Sequence, residues 1–257
     1  MEYFAVIFTV FLLISMLICL ELGRRYGLRQ VEHESDTVKT GKQIIEGAFF
    51  GLLGLLIAFS FSGAVSRFDD RRALIIEEAN DIGTAYLRLD MLAPDVQPRM
   101  RELFRKYFDA RLATYRALPQ IDAAKQELAR ATDLQNQIWA LAVASTRDSS
   151  SHPDSGKLFL PAINSMFDVS NSRTWAALTH PPMIIYGLLF VVALFCAFIS
   201  GGNLASAKRS PWLHRLTVPV VTCVCVFVIL EIDFPRRGFI DIEKYDQALV
   251  DVRKSMN

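Results

Sequence analysis

Three carboxylates at spacing i, i+1 and i+4, Glu77, Glu78 and Asp81, are where this sequence comes nearest to acid–base chemistry. Proton transfer needs a partner group and a third group that orients it, and no such set surrounds them. On a charged helix face these acids instead pair with Arg71, Arg72 or basic residues of neighbouring helices. The four histidines, His33, His152, His180 and His214, are scattered through loops and membrane edges without the spacing of metal ligands. Cys223 and Cys225 point to different sides of a helix. With Cys19 and Cys196 they lie in apolar segments, where a thiol packs as a small hydrophobe. Gly-rich phosphate loops and nucleophile elbows are absent. The sequence therefore reads as a non-enzyme without cofactor or metal, and a formal net charge of +1 gives no reason to expect nucleic acid as a partner.

What remains is the chemistry of a membrane. Of 257 residues, 52% are hydrophobic and 21% charged, and the two kinds are kept apart along the chain. Residues 3–20, 47–66 and 182–207 carry no charge, and each can cross a hydrocarbon core, which takes about 20 apolar residues. Residues 216–230 are shorter and span with Ile232 and Phe234 contributing beside Glu231. The first segment lacks a basic leader and is followed by Glu21, Arg24 and Arg25, so it is expected to stay as an anchor. The expected division is residues 1–66 for two spans and their loop, 67–181 for a soluble domain, 182–234 for the third and fourth spans, and 235–257 for a tail. Short loops carrying Arg24, Arg25, Arg29, Lys39 and Lys42, and Lys208, Arg209 and Arg215, belong in the cytoplasm by the positive-inside rule. Arg67, Arg71, Arg72, Arg236, Arg237 and Lys244 flank the membrane ends on the other side.

The soluble insert shows helical periodicity throughout, so the fold class is all-α: four transmembrane helices with a helical bundle between the second and third. Ile75, Ala79, Ile82, Tyr86 and Leu89 form one apolar stripe. Leu103, Phe104, Tyr107, Phe108, Leu112 and Tyr115 form a second after Pro94 and Pro98, and Ile121, Ala124, Leu128, Ala131, Leu134, Ile138, Leu141 and Ala142 a third after Pro119. A fourth helix runs from about Phe159 to Trp175, after a loop rich in serine. No proline falls between Gly47 and Ala93, so the second span is expected to continue unbroken into the insert.

The second span has two faces. Gly47, Gly51, Gly54, Ala58 and Ser62 form a strip of small residues that permits close helix packing. Phe49, Leu53, Leu56 and Ser60, with Ile57 and Phe61 at the edge, form the bulky face; it packs against lipid or helices, or lines an axis as hydrophobic rings that gate by dewetting. Arg67, Arg71 and Arg72 follow this span, and Glu231, Asp233, Arg236 and Arg237 close the last one. Acids this close to hydrocarbon call for partners, so Glu231 and Asp233 are expected to meet Arg236, Arg237 or the arginines after the second span.

The run Gly51-Leu52-Leu53-Gly54-Leu55-Leu56-Ile57-Ala58-Phe59, then Arg67-Phe68 and Glu77-Glu78-Ala79-Asn80, then Pro161-Ala162-Ile163-Asn164 and the closing Leu230-Glu231-Ile232-Asp233-Phe234-Pro235-x-x-Gly238, resembles the bacterial bestrophin-like domain family over nearly the whole chain. A further similarity is to bestrophin channels, whose second helix has an Ala-Phe pair, then small residues, then Arg and an aromatic; here these are Ala58-Phe59, Gly63-Ala64 and Arg67-Phe68. The resemblance implies a pentameric anion channel in the bacterial inner membrane, its second helix on the axis and its insert in the cytosol, opposite to the positive-inside reading. Asp69-Asp70 depart from the bestrophin pattern, which favours aromatics there, and no acidic calcium clasp is visible. The expected function is an oligomeric membrane pore passing small inorganic ions, with self-association and the lipid bilayer as its partners. The alternative is a membrane-anchored helical sensor or interaction module.

Overall fold

The computed structural model describes residues 4–29, 36–118, 120–205, 212–234 and 243–256, and among these every regular element is a helix. In chain order they are α1 (Phe4–Leu28), α2 (Asp36–Leu87), α3 (Gln97–Arg116), α4 (Ile121–Ser145), α5 (Ser155–Leu178), α6 (Met183–Leu204), α7 (Trp212–Asp233) and α8 (Glu243–Ser255), with a 3-10 turn at Arg88–Met91. Among the described residues four helical stretches are long and apolar enough to cross a membrane, and they lie in α1, α2, α6 and α7. The chain divides into two compact units, one of Met1–Phe68 with His180–Ile240 and one of Asp69–Thr179 with Asp241–Asn257.

In the first unit the apolar positions of α1 recur every four residues, at Leu12, Met16 and Leu20, and pack with Leu189, Ala193 and Cys196 of α6 and Cys223, Val226 and Leu230 of α7. Within lipid such contacts gain little from the hydrophobic effect, and close backbone approach does more of the work. That approach occurs between α1 and α6. A methyl group at Gly27 would stand 2.5 Å from the Gly202 carbonyl oxygen, and methyl groups at Gly23 and Gly201 would overlap the carbonyls of Phe198 and Leu20 outright. The Gly-x-x-x-Gly pair that closes a helix contact within this chain is thus Gly23–Gly27 on α1, facing Gly201 and Gly202.

The second unit is a bundle whose buried side chains follow the helical stripes, except that Ile121, in the first turn of α4, is exposed and Leu103, Leu128 and Leu141 at the stripe edges are half-buried. Ile75, Ala79, Ile82, Tyr86 and Leu89 are all buried, as are Phe104, Tyr107, Phe108 and Tyr115 of α3, Ala131, Leu134 and Ile138 of α4, and Phe159, Ile163 and Met166 of α5. Each large side chain removed from water stabilises the bundle by about 1.5–3 kcal/mol. Pro98 sits in the first turn of α3, where a missing N–H breaks no hydrogen bond. Helix α5 starts at Ser155, four residues before the apolar stripe, and contains Pro161. The carbonyl that Pro161 leaves without a helical donor belongs to Lys157, an exposed residue open to water.

The tail contributes a helix that its sequence had not suggested. In α8, Leu249 is buried, and Arg253 forms a two-pronged ion pair with Asp109 of α3 at 2.8 and 3.1 Å. The Met256 carbonyl accepts from Tyr86 at 3.0 Å and from Arg105 at 3.3 Å. The serine-rich loop is pinned as well: Ser151 Oγ accepts from the Ala93 N–H and donates to the Ser145 carbonyl, and the His152 N–H donates to Met91.

Candidate pore helix and its anchors

Helix α2 runs 52 residues without a proline, so nothing interrupts its ladder of N–H to C=O hydrogen bonds. Its membrane portion turns Leu53 (3% exposed) and Ala64 (fully buried) toward the core of its own chain, with Phe49, Phe50, Leu56 and Ile57 packed against that core and Ser60 half-buried. On the other side Gly47, Gly51, Gly54, Ala58 and Ser62 are exposed, and a methyl group added at any of the three glycines would meet nothing within 4 Å. Leu55 (52% exposed), Phe59 (68% exposed) and Phe61 share the open side. Within one chain the two faces therefore exchange the roles their composition suggests. The bulky face binds α2 to its own protomer, and the small-residue strip packs on nothing. Phe61 is separated from the other five bulky candidates. Among the four spans, α2 is the least covered by its own chain.

The end of this span is fastened by charge. Arg67 donates from Nε to Asp233 Oδ1 at 2.8 Å and from Nη2 to Oδ2 at 3.0 Å, and Tyr186 OH donates to Oδ2 at 2.5 Å. The Asp233 carboxylate is wholly buried, so the paired guanidinium offsets a desolvation penalty of several kcal/mol. The Arg67 guanidinium lies over Gly63, where a methyl group would stand 3.1 Å from Nη1. Glu231 is buried two residues before Asp233, and His180 stacks on Phe234 at 4.4 Å. Arg236 and Arg237 lie outside the described residues. Near the opposite end of the span, Asn203 of α6 donates to Glu46.

In the second unit Arg71 is buried and donates to the carbonyls of Ala176 and Thr179 at 3.0 and 2.9 Å, closing the C-terminus of α5. Arg72 pairs with exposed Asp69 at 3.0 Å. The three carboxylates separate: Glu77 is exposed, Asp81 half-buried and Glu78 fully buried. Glu78 accepts from Arg111 Nε and from Arg173 Nη1, both at 2.6 Å. Arg111 also donates to Tyr115 OH and the Ser170 carbonyl, and Arg173 lies 3.7 Å from the centre of the Tyr115 ring. Burial alone would lower the Arg111 guanidinium; the Glu78 charge more than reverses this and holds it above its ordinary value. A carboxylate clamped by two guanidinia braces the bundle and is not free to exchange protons with a substrate.

Among the described residues no three His, Cys, Asp or Glu side chains converge as metal ligands, and Cys19, Cys196, Cys223 and Cys225 are unpaired thiols. Sequence reasoning missed Tyr186, Arg111, Arg173 and the α1–α6 glycines. For Tyr186 a signal was present: a hydroxyl inside an otherwise apolar span must find an acceptor.

A multi-pass helical membrane protein, with α2 the span its own chain covers least and a helical bundle as a second unit, is the class these features define. The profile of the Bestrophin-like domain matches residues 10–246, and the chain belongs to that family. The structure is similar to the crystal structure of a bacterial bestrophin homolog from Klebsiella pneumoniae carrying a point mutation. The TM-score is 0.63 at 13% sequence identity, over 96% of this chain and 97% of that one. At that identity the likeness is one of fold. No curated protein matches the chain.

Proposed function

We propose that this chain is the subunit of an oligomeric ion pore, with α2 lining the axis, in the cytoplasmic membrane of a bacterium. The observation that carries the reading is the open face of α2: an apolar, glycine-rich side of the least-covered span, which its own chain leaves without a partner. Copies of the chain arranged around an axis cover that face, and the family and the bacterial fold relative agree with such an assembly. At 100° per residue, Gly51, Leu55, Phe59 and Ser62 lie opposite Leu53, Ile57, Ser60 and Ala64. The axial constriction is accordingly assigned to Leu55 and Phe59, which gate by dewetting, and Gly47, Gly51 and Gly54 let neighbouring copies approach. Phe49, Leu53, Leu56, Ile57 and Ser60 keep the helix on its protomer.

The charge of the permeant ion follows from which side chains stay exposed. Arg67 is engaged by Asp233, Arg71 by backbone carbonyls and Arg72 by Asp69, while Asp70 and Glu77 stay exposed on α2. This distribution favours cations over the anions that the bestrophin resemblance implies. Purified oligomer reconstituted in liposomes tests both points. Ion flux under a salt gradient is expected, with a reversal potential of cationic sign. An oligomer of verified size that passes no ion removes the pore reading and leaves the sensor alternative.

A further inference from the structure

Helix α2 touches its own protomer along one narrow apolar face, and an apolar face alone resists rotation about the helix axis weakly. The polar contact nearest Phe59 that fixes its angle is the Arg67–Asp233–Tyr186 cluster, which draws α2, α7 and α6 onto one buried carboxylate, while Glu46, bonded by Asn203, holds the far end of the span. The two-pronged geometry matters, because a guanidinium held at two nitrogens cannot pivot as a single hydrogen bond allows. Arg67 lies eight residues beyond Phe59, about 12 Å along the axis at 1.5 Å per residue. A rotation permitted at Arg67 therefore turns the Leu55 and Phe59 side chains by the same angle.

Resting on the ion-pore reading, we infer that Tyr186 and Asp233 are positioning residues for the pore: through Arg67 they hold α2 at the angle that presents Leu55 and Phe59 to the axis, and so set the balance of open and closed states. Neither residue touches the ion. Gly63 belongs to the same device, since only a hydrogen there leaves ordinary contact distance to the Arg67 guanidinium.

Single-channel recording of the reconstituted full chain tests this. Tyr186→Phe removes one hydrogen bond to a charged group without changing shape or charge, and a shift of about tenfold in the open-to-closed ratio is expected, with unit conductance and ion selectivity unchanged. Gly63→Ala, which presses on the guanidinium, is expected to shift the ratio in the same direction. Combined with Asp233→Asn, Tyr186→Phe should add little, because the acceptor it served has already been altered. Oligomer size by chromatography shows that each variant is assembled. A conducting wild type whose Tyr186→Phe and Gly63→Ala variants open and close as it does overturns the inference alone. A wild type without conductance overturns the pore reading together with it.

Discussion

Gly23 of α1 and Phe198 of α6 meet backbone to backbone, so closely that a methyl group at position 23 would overlap the Phe198 carbonyl. The atom in the way is part of a helix and cannot turn aside as a flexible side chain would. Gly23→Ala and Gly201→Ala must therefore push two helices apart, a strain of about 1–3 kcal/mol or more each. Thermal unfolding of the detergent-solubilised protein should register both as losses, whereas Gly51→Ala, with open space around it, should leave the subunit's own stability unchanged.

The two faces of α2 respond differently to truncation. Leu53→Ala opens a cavity in the core of the first unit and is expected to lower stability by about 2–5 kcal/mol. Phe59→Ala removes a side chain that its own chain hardly touches. It should spare subunit stability while raising ion flux in liposomes. The reverse pattern would return the axis to the bulky face.

Glu78 carries a third prediction. Glu78→Gln leaves Arg111 and Arg173 buried without their counter-charge, and a loss of about 3–5 kcal/mol is expected by thermal or denaturant unfolding. The exposed pair offers the contrast: Asp69→Asn, beside Arg72 at the surface, should change stability by at most about 1 kcal/mol.

Alkaline pH reaches the same bundle through Tyr107. Burial pushes its hydroxyl above the ordinary value, against the opposing charge of Arg111. The folded state then keeps a proton that the unfolded chain releases near pH 10. Stability from this group is complete below that pH and falls as pH rises beyond it, by about 1.4 kcal/mol per unit. Tyr107→Phe should flatten the decline in a series of unfolding curves.

The side of the membrane on which the bundle lies is open to a labelling test. Ser151 is unsuited to it, being buried with its hydroxyl engaged twice, whereas Ser150 is exposed. A cytosolic bundle predicts that Ser150→Cys in intact cells resists a membrane-impermeant maleimide and reacts after permeabilisation. Labelling in intact cells would place the bundle outside.

The bundle was readable in the sequence because its helices alternate apolar and polar sides, so Ile75, Ala79, Ile82 and Tyr86 declare the buried face by spacing alone. Residues 47–66 lack that contrast. Both faces are uncharged, and which one meets the core depends on the shapes of α1, α6 and α7, which no local pattern encodes. The glycine strip left its partner unnamed for the same reason: small residues announce close packing without saying on what, and inside this chain the glycines that pack are Gly23 and Gly27 against Gly201 and Gly202. Arg67 and Asp233 each stood out as charges at the ends of spans. Tyr186, embedded in an apolar run, joined them only in three dimensions.

The contact between α1 and α6 also bears on how the protein is made. Helix α1 packs on α6 and α7, which follow it by more than 150 residues, so its glycine face has no lasting partner until those helices have been translated. At the usual pace of synthesis that interval is roughly ten to thirty seconds. During biogenesis α1 must wait in the bilayer with Gly23 and Gly27 uncovered until α6 arrives to cover them, and α7 then completes the membrane unit.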